Sequence, residues 1–107
     1  MEKFDAVVIG GGPGGYACAI RLAQNGLRAA LVEADTLGGT CLNRGCIPTK
    51  TLLHSADVYY DATHGDAYGV TAGNVTFDYG KIIERKAAVS KQLSSGIAFL
   101  EKSHGVT

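Results

Sequence analysis

Hydrophobic and polar positions divide the chain into two short apolar runs and three stretches of helical spacing. Phe4 to Ile9 (F-D-A-V-V-I) is a nearly continuous apolar run that ends at Gly10-Gly11-Gly12. A strand buried on both faces of a parallel sheet has that pattern. From Pro13 to Gln24 the apolar Tyr16, Ala17, Ile20, Leu22 and Ala23 recur at helical spacing, and Asn25-Gly26 supplies the stop. Arg28 to Glu33 is a second short strand. Strand, turn, helix and strand within about thirty residues make the first βαβ unit of a doubly wound sheet.

Asp35 to Gly45 is a glycine-rich loop carrying Cys41. Ile47 to Thr63 predicts a helix, with Pro48 tolerated in its first turn and His64-Gly65 ending it. Ala67 to Phe77 predicts a loop or a weak ribbon. Asp78 is the N-cap of a last helix, in which Ile82, Val89, Leu93, Ile97 and Leu100 form one apolar stripe up to Gly105. Lys81, Arg85, Lys91, Glu101 and Lys102 fall on its other faces as a solvated surface. Gly96 within it costs about 1 kcal/mol against Ala; either something packs closely there or the helix tolerates the loss. A further strand begins at Val106-Thr107. The expected fold class is α/β, an incomplete Rossmann-like doubly wound parallel sheet.

Composition narrows the function. Ten Lys plus Arg balance ten Asp plus Glu, without the basic excess that phosphate contacts to nucleic acid require. No run approaches the eighteen or so apolar residues of a membrane helix. Glu2, Lys3 and Asp5 precede the first run, unlike a secretory signal, so the chain is expected to be cytoplasmic. Glycine is the outlier, at fifteen of 107 residues, about twice average usage.

Much of that glycine lies in G-x-G-x-x-G at Gly10, Gly12 and Gly15. Gly10 allows the tight turn off the strand, Gly12 lets backbone approach a pyrophosphate, and Gly15 lets helix and strand pack closely. The pyrophosphate would rest on the free N–H groups and positive dipole end of the helix. Glu33 ends the second strand eighteen residues beyond Gly15, where a carboxylate accepts from ribose hydroxyls and repels a 2′-phosphate. A solvated strand end is the plainer reading of Glu33. Strand, fingerprint, helix and acid together point to dinucleotide binding.

Cys41 and Cys46 form C-x4-C, and Cys18 stands apart as a small buried hydrophobe on the first helix. Cα atoms five residues apart in a regular helix are roughly 8–9 Å apart, whereas a disulfide takes about 4.4–6.8 Å. The two sulfurs can meet only if the segment bends, which Asn43 and Gly45 permit. A bridge over so short a loop makes a poor staple, at about 2 kcal/mol in the chain-entropy model, and a better reversible switch. A helix start following it can favour the thiolate of Cys46 through unpaired N–H groups. Zinc is disfavoured, since the remaining ligands are Cys18 and the scattered His54, His64 and His104. Two inert thiols remain the other reading.

The segment Gly38 to Lys50 (G-G-T-C-L-N-R-G-C-I-P-T-K) closely resembles the redox-disulfide signature of the FAD-dependent pyridine nucleotide-disulfide oxidoreductases. With Thr51-Leu52-Leu53-His54 following, it is most similar to the dihydrolipoamide-oxidising branch. The glutathione- and mercuric-reductase branches resemble it too, but more often carry Val at the positions of Leu42 and Ile47. The resemblance spans Phe4 to about Ala56, and more loosely the final helix.

It implies that Gly10, Gly12, Gly15 and Glu33 hold the adenosine and pyrophosphate of FAD, with Gly39 and Thr40 passing near the flavin. Cys46 would face the flavin, and Cys41 would exchange with substrate sulfur. Lys50 would sit near flavin N5, where a cation favours the reduced ring; a lysine lying along the helix surface is the plain alternative. Electrons would run from dihydrolipoamide through the disulfide and FAD to NAD. The partners implied are lipoyl groups of 2-oxo acid dehydrogenase complexes and a second subunit in a homodimer.

The chain has one dinucleotide fingerprint where the family has two, and lacks the family's late catalytic His with its Glu. Residues 1–107 are therefore expected to be the N-terminal part of an FAD-binding domain, with the remaining FAD strands, the NAD domain and the dimerisation domain outside it. The isolated chain is expected to be inactive, and its open sheet edges invite self-association.

Overall fold

The computed structural model describes all 107 residues, Met1 to Thr107. Strand β1 (Ala6–Ile9) leads into helix α1 (Pro13–Gln24) and strand β2 (Ala29–Val32). A short helix α2 (Gly39–Arg44), the long α3 (Cys46–Thr63), a 3-10 turn (Asp66–Tyr68) and α4 (Tyr79–Ser103) follow. β1 and β2 pair in parallel, with Ala6 opposite Ala29 and Ile9 opposite Val32. The βαβ unit therefore forms where the apolar spacing places it. The far edge of β2 is occupied as well: the Leu31 N–H donates to the Thr107 carbonyl at 2.7 Å, and the Thr107 N–H to the Ala29 carbonyl at 3.1 Å. That is the first rung of a third parallel strand, with α4 in its crossover. Asp78 caps α4 as expected, its Oδ1 accepting from the Lys81 N–H at 3.1 Å.

Several expectations change. Residues 35–45 are not all loop, because α2 forms within them once Leu42 finds cover and becomes 7% exposed. Residues 67–77 make no ribbon. They hold part of the 3-10 turn and an irregular stretch, and Phe77 packs edge-on against Tyr59 with ring centroids 5.5 Å apart. β1 is not buried on both faces: Ile9 is 87% exposed, and Val7 and Val32 are more than half exposed. Cys18 is exposed rather than buried. It lies one residue, hence about 100° of helix turn, from the fully buried Ala19. Nothing lies within 4 Å of where a Cβ on Gly96 would stand, so the helix simply tolerates that glycine.

The buried apolar residues are few and mostly small: Ala19, Ala29, Ala30, Leu42 and Ile97. The first three lie on α1 and β2, the last two on α2 and α4. The molecule measures 65 × 25 × 18 Å, with a radius of gyration of 19.7 Å, where a compact chain of this length gives about 13 Å. Length is thus gained at the expense of core.

Glu101 departs from the solvated surface expected of it. It is 6% exposed, and neither carboxylate oxygen has a hydrogen-bond partner. Burial pushes its carboxyl above the usual range, and the His104 imidazole opposes the shift. A carboxyl raised in the folded state favours folding while protonated, and that contribution is lost as pH rises from about 4.5 through the folded value. Glu101→Gln should therefore raise stability at pH 8, on the order of 1 kcal/mol, with the gain shrinking toward pH 4. Thermal melts across that range check the sign; a gain that grows as pH falls would contradict it.

Candidate functional site

The turn after β1 is built from main chain. The Gly10 N–H donates to the Val32 carbonyl at 2.8 Å as the ladder ends. A Cβ on Gly15 would stand 1.7 Å from the Gly10 carbonyl oxygen, so only glycine lets α1 come this close to the strand end. Gly12 is the N-cap of α1, with no side chain capping the helix, Pro13 following, and no acid in the first turn. The opening N–H groups of α1 lack intrahelical partners, and they lie at the positive end of the helix dipole. An anion finds donors and field there without competition from a side chain.

Glu33 closes one side of this turn. Its Oε2 accepts from the Gly11 N–H at 2.6 Å and its Oε1 from the Asp35 N–H at 3.1 Å. These two bonds, the one from Gly11 foremost, hold its carboxyl below the usual range. Glu33 is therefore more than a solvated strand end. It also lines a polar cavity of about 200 Å³ with Thr36, Gly39, Thr40 and Asn43. Asp35 and Arg44, paired at 3.1 Å, complete its wall.

The cysteine segment docks directly on the turn. The Gly38 N–H donates to the Gly11 carbonyl at 2.8 Å. Gly39 has φ +70°, and a Cβ there would stand 2.7 Å from the Gly12 Cα, so the two loops touch main chain to main chain. Asn43 Nδ2 donates to the Gly39 carbonyl at 3.0 Å and the Leu37 carbonyl at 3.2 Å, tying α2 to the loop before it. Helix α2 stops at Arg44, Gly45 leaves helical geometry, and α3 starts at Cys46. That break brings the Cys41 and Cys46 Cα atoms to 4.7 Å, and the two are joined as a disulfide. The bend that the spacing required is present.

The two sulfurs have different surroundings. Cys41 is half-buried against an apolar cavity of about 340 Å³, lined also by Pro13, Tyr16, Leu42, Ile47 and Leu93. Cys46 is exposed at the amide end of an 18-residue helix. Lys50 follows one turn later on the same side of α3, exposed and lining neither cavity.

Gly10, Gly12, Gly15, Glu33, Gly39 and Thr40 thus gather around one turn, with Cys41 and Cys46 next along the chain. A pyrophosphate fits the uncapped start of α1, and a ribose fits beside the Glu33 carboxylate. The spacing missed α2 and the bonding of Asn43. The Asn43 contacts had a local signal, since a short amide side chain readily serves nearby main chain.

Gly15→Ala should destabilise the chain near the upper end of the ~1–3 kcal/mol typical of overpacking, read from denaturant midpoints. The lowered Glu33 carboxyl stabilises the fold above about pH 4.5, and that contribution is lost as pH falls through its folded value. Glu33→Gln should flatten the acid limb of the stability profile and quicken Gly11 amide exchange; an unchanged acid limb would deny the bond any role.

A family model for pyridine nucleotide-disulphide oxidoreductases matches residues 4–107. The chain is 51% identical over 106 residues to a dihydrolipoyl dehydrogenase of Acholeplasma laidlawii, covering 98% of this chain and 32% of that protein. It is 51% identical over 105 residues to the dihydrolipoyl dehydrogenase of Zymomonas mobilis (98% and 22%). A Bacillus subtilis protein of the same name is 49% identical over 100 residues (94% and 21%). The chain spans between about a fifth and a third of the length of these curated relatives. The family match runs from Phe4 to Thr107, through both the glycine turn and the cysteine pair, and places the chain in the pyridine nucleotide-disulphide oxidoreductase family.

Proposed function

We propose that this chain is the FAD-binding and redox-disulfide segment of a dihydrolipoamide dehydrogenase, which oxidises dihydrolipoamide and reduces NAD. The observation that carries the reading is the Cys41–Cys46 pair, joined across a helix break in a segment that docks on the glycine turn between β1 and α1. The relatives' names favour this branch over the glutathione and mercuric reductases.

In this reading the α1 amides at Gly14 and Gly15 bind the pyrophosphate, and Glu33 accepts from the ribose. Gly12 and Gly39 keep the approach clear, with Thr40 bordering it. A dihydrolipoamide thiolate attacks the Cys41 sulfur, and Cys46 leaves as a thiolate, which the α3 amide end stabilises. The second substrate sulfur then displaces Cys41, lipoamide closes its own disulfide, and the chain holds the electron pair as a dithiol. FAD, when bound, would supply the two-electron acceptor for this pair. Lys50, one turn beyond Cys46, brings a cation to that side of α3. The partners are lipoyl groups of 2-oxo acid dehydrogenase complexes, and the whole protein is a cytoplasmic homodimer serving cell redox balance.

The chain contains no tryptophan, so flavin fluorescence can be followed without indole interference. Titrating FAD with the chain should perturb that fluorescence, Gly15→Ala should abolish the effect, and Cys41→Ser should preserve it. An FAD signal unchanged at saturating protein would overturn the cofactor assignment. The 107-residue chain alone should form no NADH from dihydrolipoamide; turnover abolished by Cys41→Ser would show that the segment suffices.

A further inference from the structure

The hydroxyl side chains of the two long helices behave in two ways. On α3, Thr51 donates to the Ile47 carbonyl at 2.8 Å, Ser55 to Thr51 at 3.5 Å, and Thr63 to Tyr59 at 3.0 Å, each one turn back in its own helix. That is the ordinary habit of helical Ser and Thr. On α4, Ser90 and Ser94 do otherwise. The Ser94 hydroxyl donates to the Leu37 carbonyl at 2.7 Å, and the Ser90 hydroxyl to the Leu42 carbonyl at 3.1 Å. Four residues apart, they lie one above the other on one face of α4. Their acceptors bracket Cys41: Leu37 precedes α2, and Leu42 follows the cysteine within it. Ser94 is 8% exposed, and its Leu37 acceptor also receives Asn43.

The Leu42 acceptor has a further meaning. It belongs to the last turn of α2, whose carbonyls have no intrahelical partner. In an unbroken helix that oxygen would take the N–H of Cys46, four residues on. The Ser90 hydroxyl therefore anchors that oxygen to α4 at the place it occupies in the bent segment, and straightening would have to carry it away from this donor. Straightening would carry the two cysteines to about 8–9 Å, beyond disulfide reach.

We propose that Ser90 and Ser94 are positioning residues that hold residues 37–46 in the bent form where Cys41 and Cys46 reach each other, and so set the thiol–disulfide equilibrium of the pair. The inference rests on the redox reading of that pair. The test needs no flavin, so its failure is distinguishable from failure of the FAD titration. With Cys18 replaced by Ser throughout, the chain is equilibrated against dithiothreitol mixtures, quenched and alkylated to count free thiols. Dithiothreitol thiolate attacks one sulfur, the other cysteine leaves as thiolate, and the reagent closes to its cyclic disulfide. The chain gains two electrons and two protons.

Ser90→Ala and Ser94→Ala should each shift the equilibrium threefold or more toward dithiol, while Ser94→Thr holds it in place. Ser95→Ala, at an exposed serine of the same helix, should leave it unchanged. Alanine variants that keep their helical circular dichroism and their equilibrium would overturn the proposal, as would an equal shift from Ser95→Ala. Should the alanine variants not fold, Ser94→Thr against Ser94→Val decides. Thr retained and Val displaced supports the clamp, and equal behaviour of the two overturns it.

Discussion

The site depends on one contact, between the main chain at Gly38–Gly39 and the main chain at Gly11–Gly12. Side chains could not mediate it, because a single methyl group at Gly39 would drive the loops apart. Through it, a segment that begins after the second strand is fastened to the turn after the first. Cys41 lies two residues beyond this weld and Cys46 seven, so the distance of Cys41 from the start of α1 is governed by backbone geometry.

Around that weld the structure spends its few specific polar bonds. Glu33 braces the turn from one side through Gly11 and Asp35. Asn43 ties α2 to the loop before it, and two serines of α4 reach the same short stretch from the outside. No large side chain is fully buried anywhere, so these bonds to carbonyls, each worth about 1 kcal/mol, carry much of the segment's attachment.

The βαβ unit, the helix limits at Pro13–Gln24, the Asp78 cap and the break between the cysteines were all legible in the chain, since each rests on a local rule. Alternating or continuous apolar runs, an uncapped glycine turn and a spacing incompatible with regular helix need no knowledge of distant residues. What could not be read depended on partners far along the chain. Helix α2 forms because Leu42 is covered, and Ser94 meets Leu37 across more than fifty residues. Glu101 looked like one more charge on a solvated face, and Cys18 like a core residue. One step along a helix separates a face that packs from one that does not, and apolar counting alone misjudges that step.

The sheet also carries an implication for the order of assembly. β1 and β2 close through α1, with Val8 opposite Leu31, whereas Thr107 reaches β2 only after some seventy-five residues of intervening chain. Loop-closure entropy grows slowly with length, so the longer loop is disfavoured by only about 1 kcal/mol relative to the shorter. Pairings between residues far apart along the chain form slowly. The parallel β1–α1–β2 unit is therefore expected to close ahead of the pairing at Thr107, for which its second strand provides the edge.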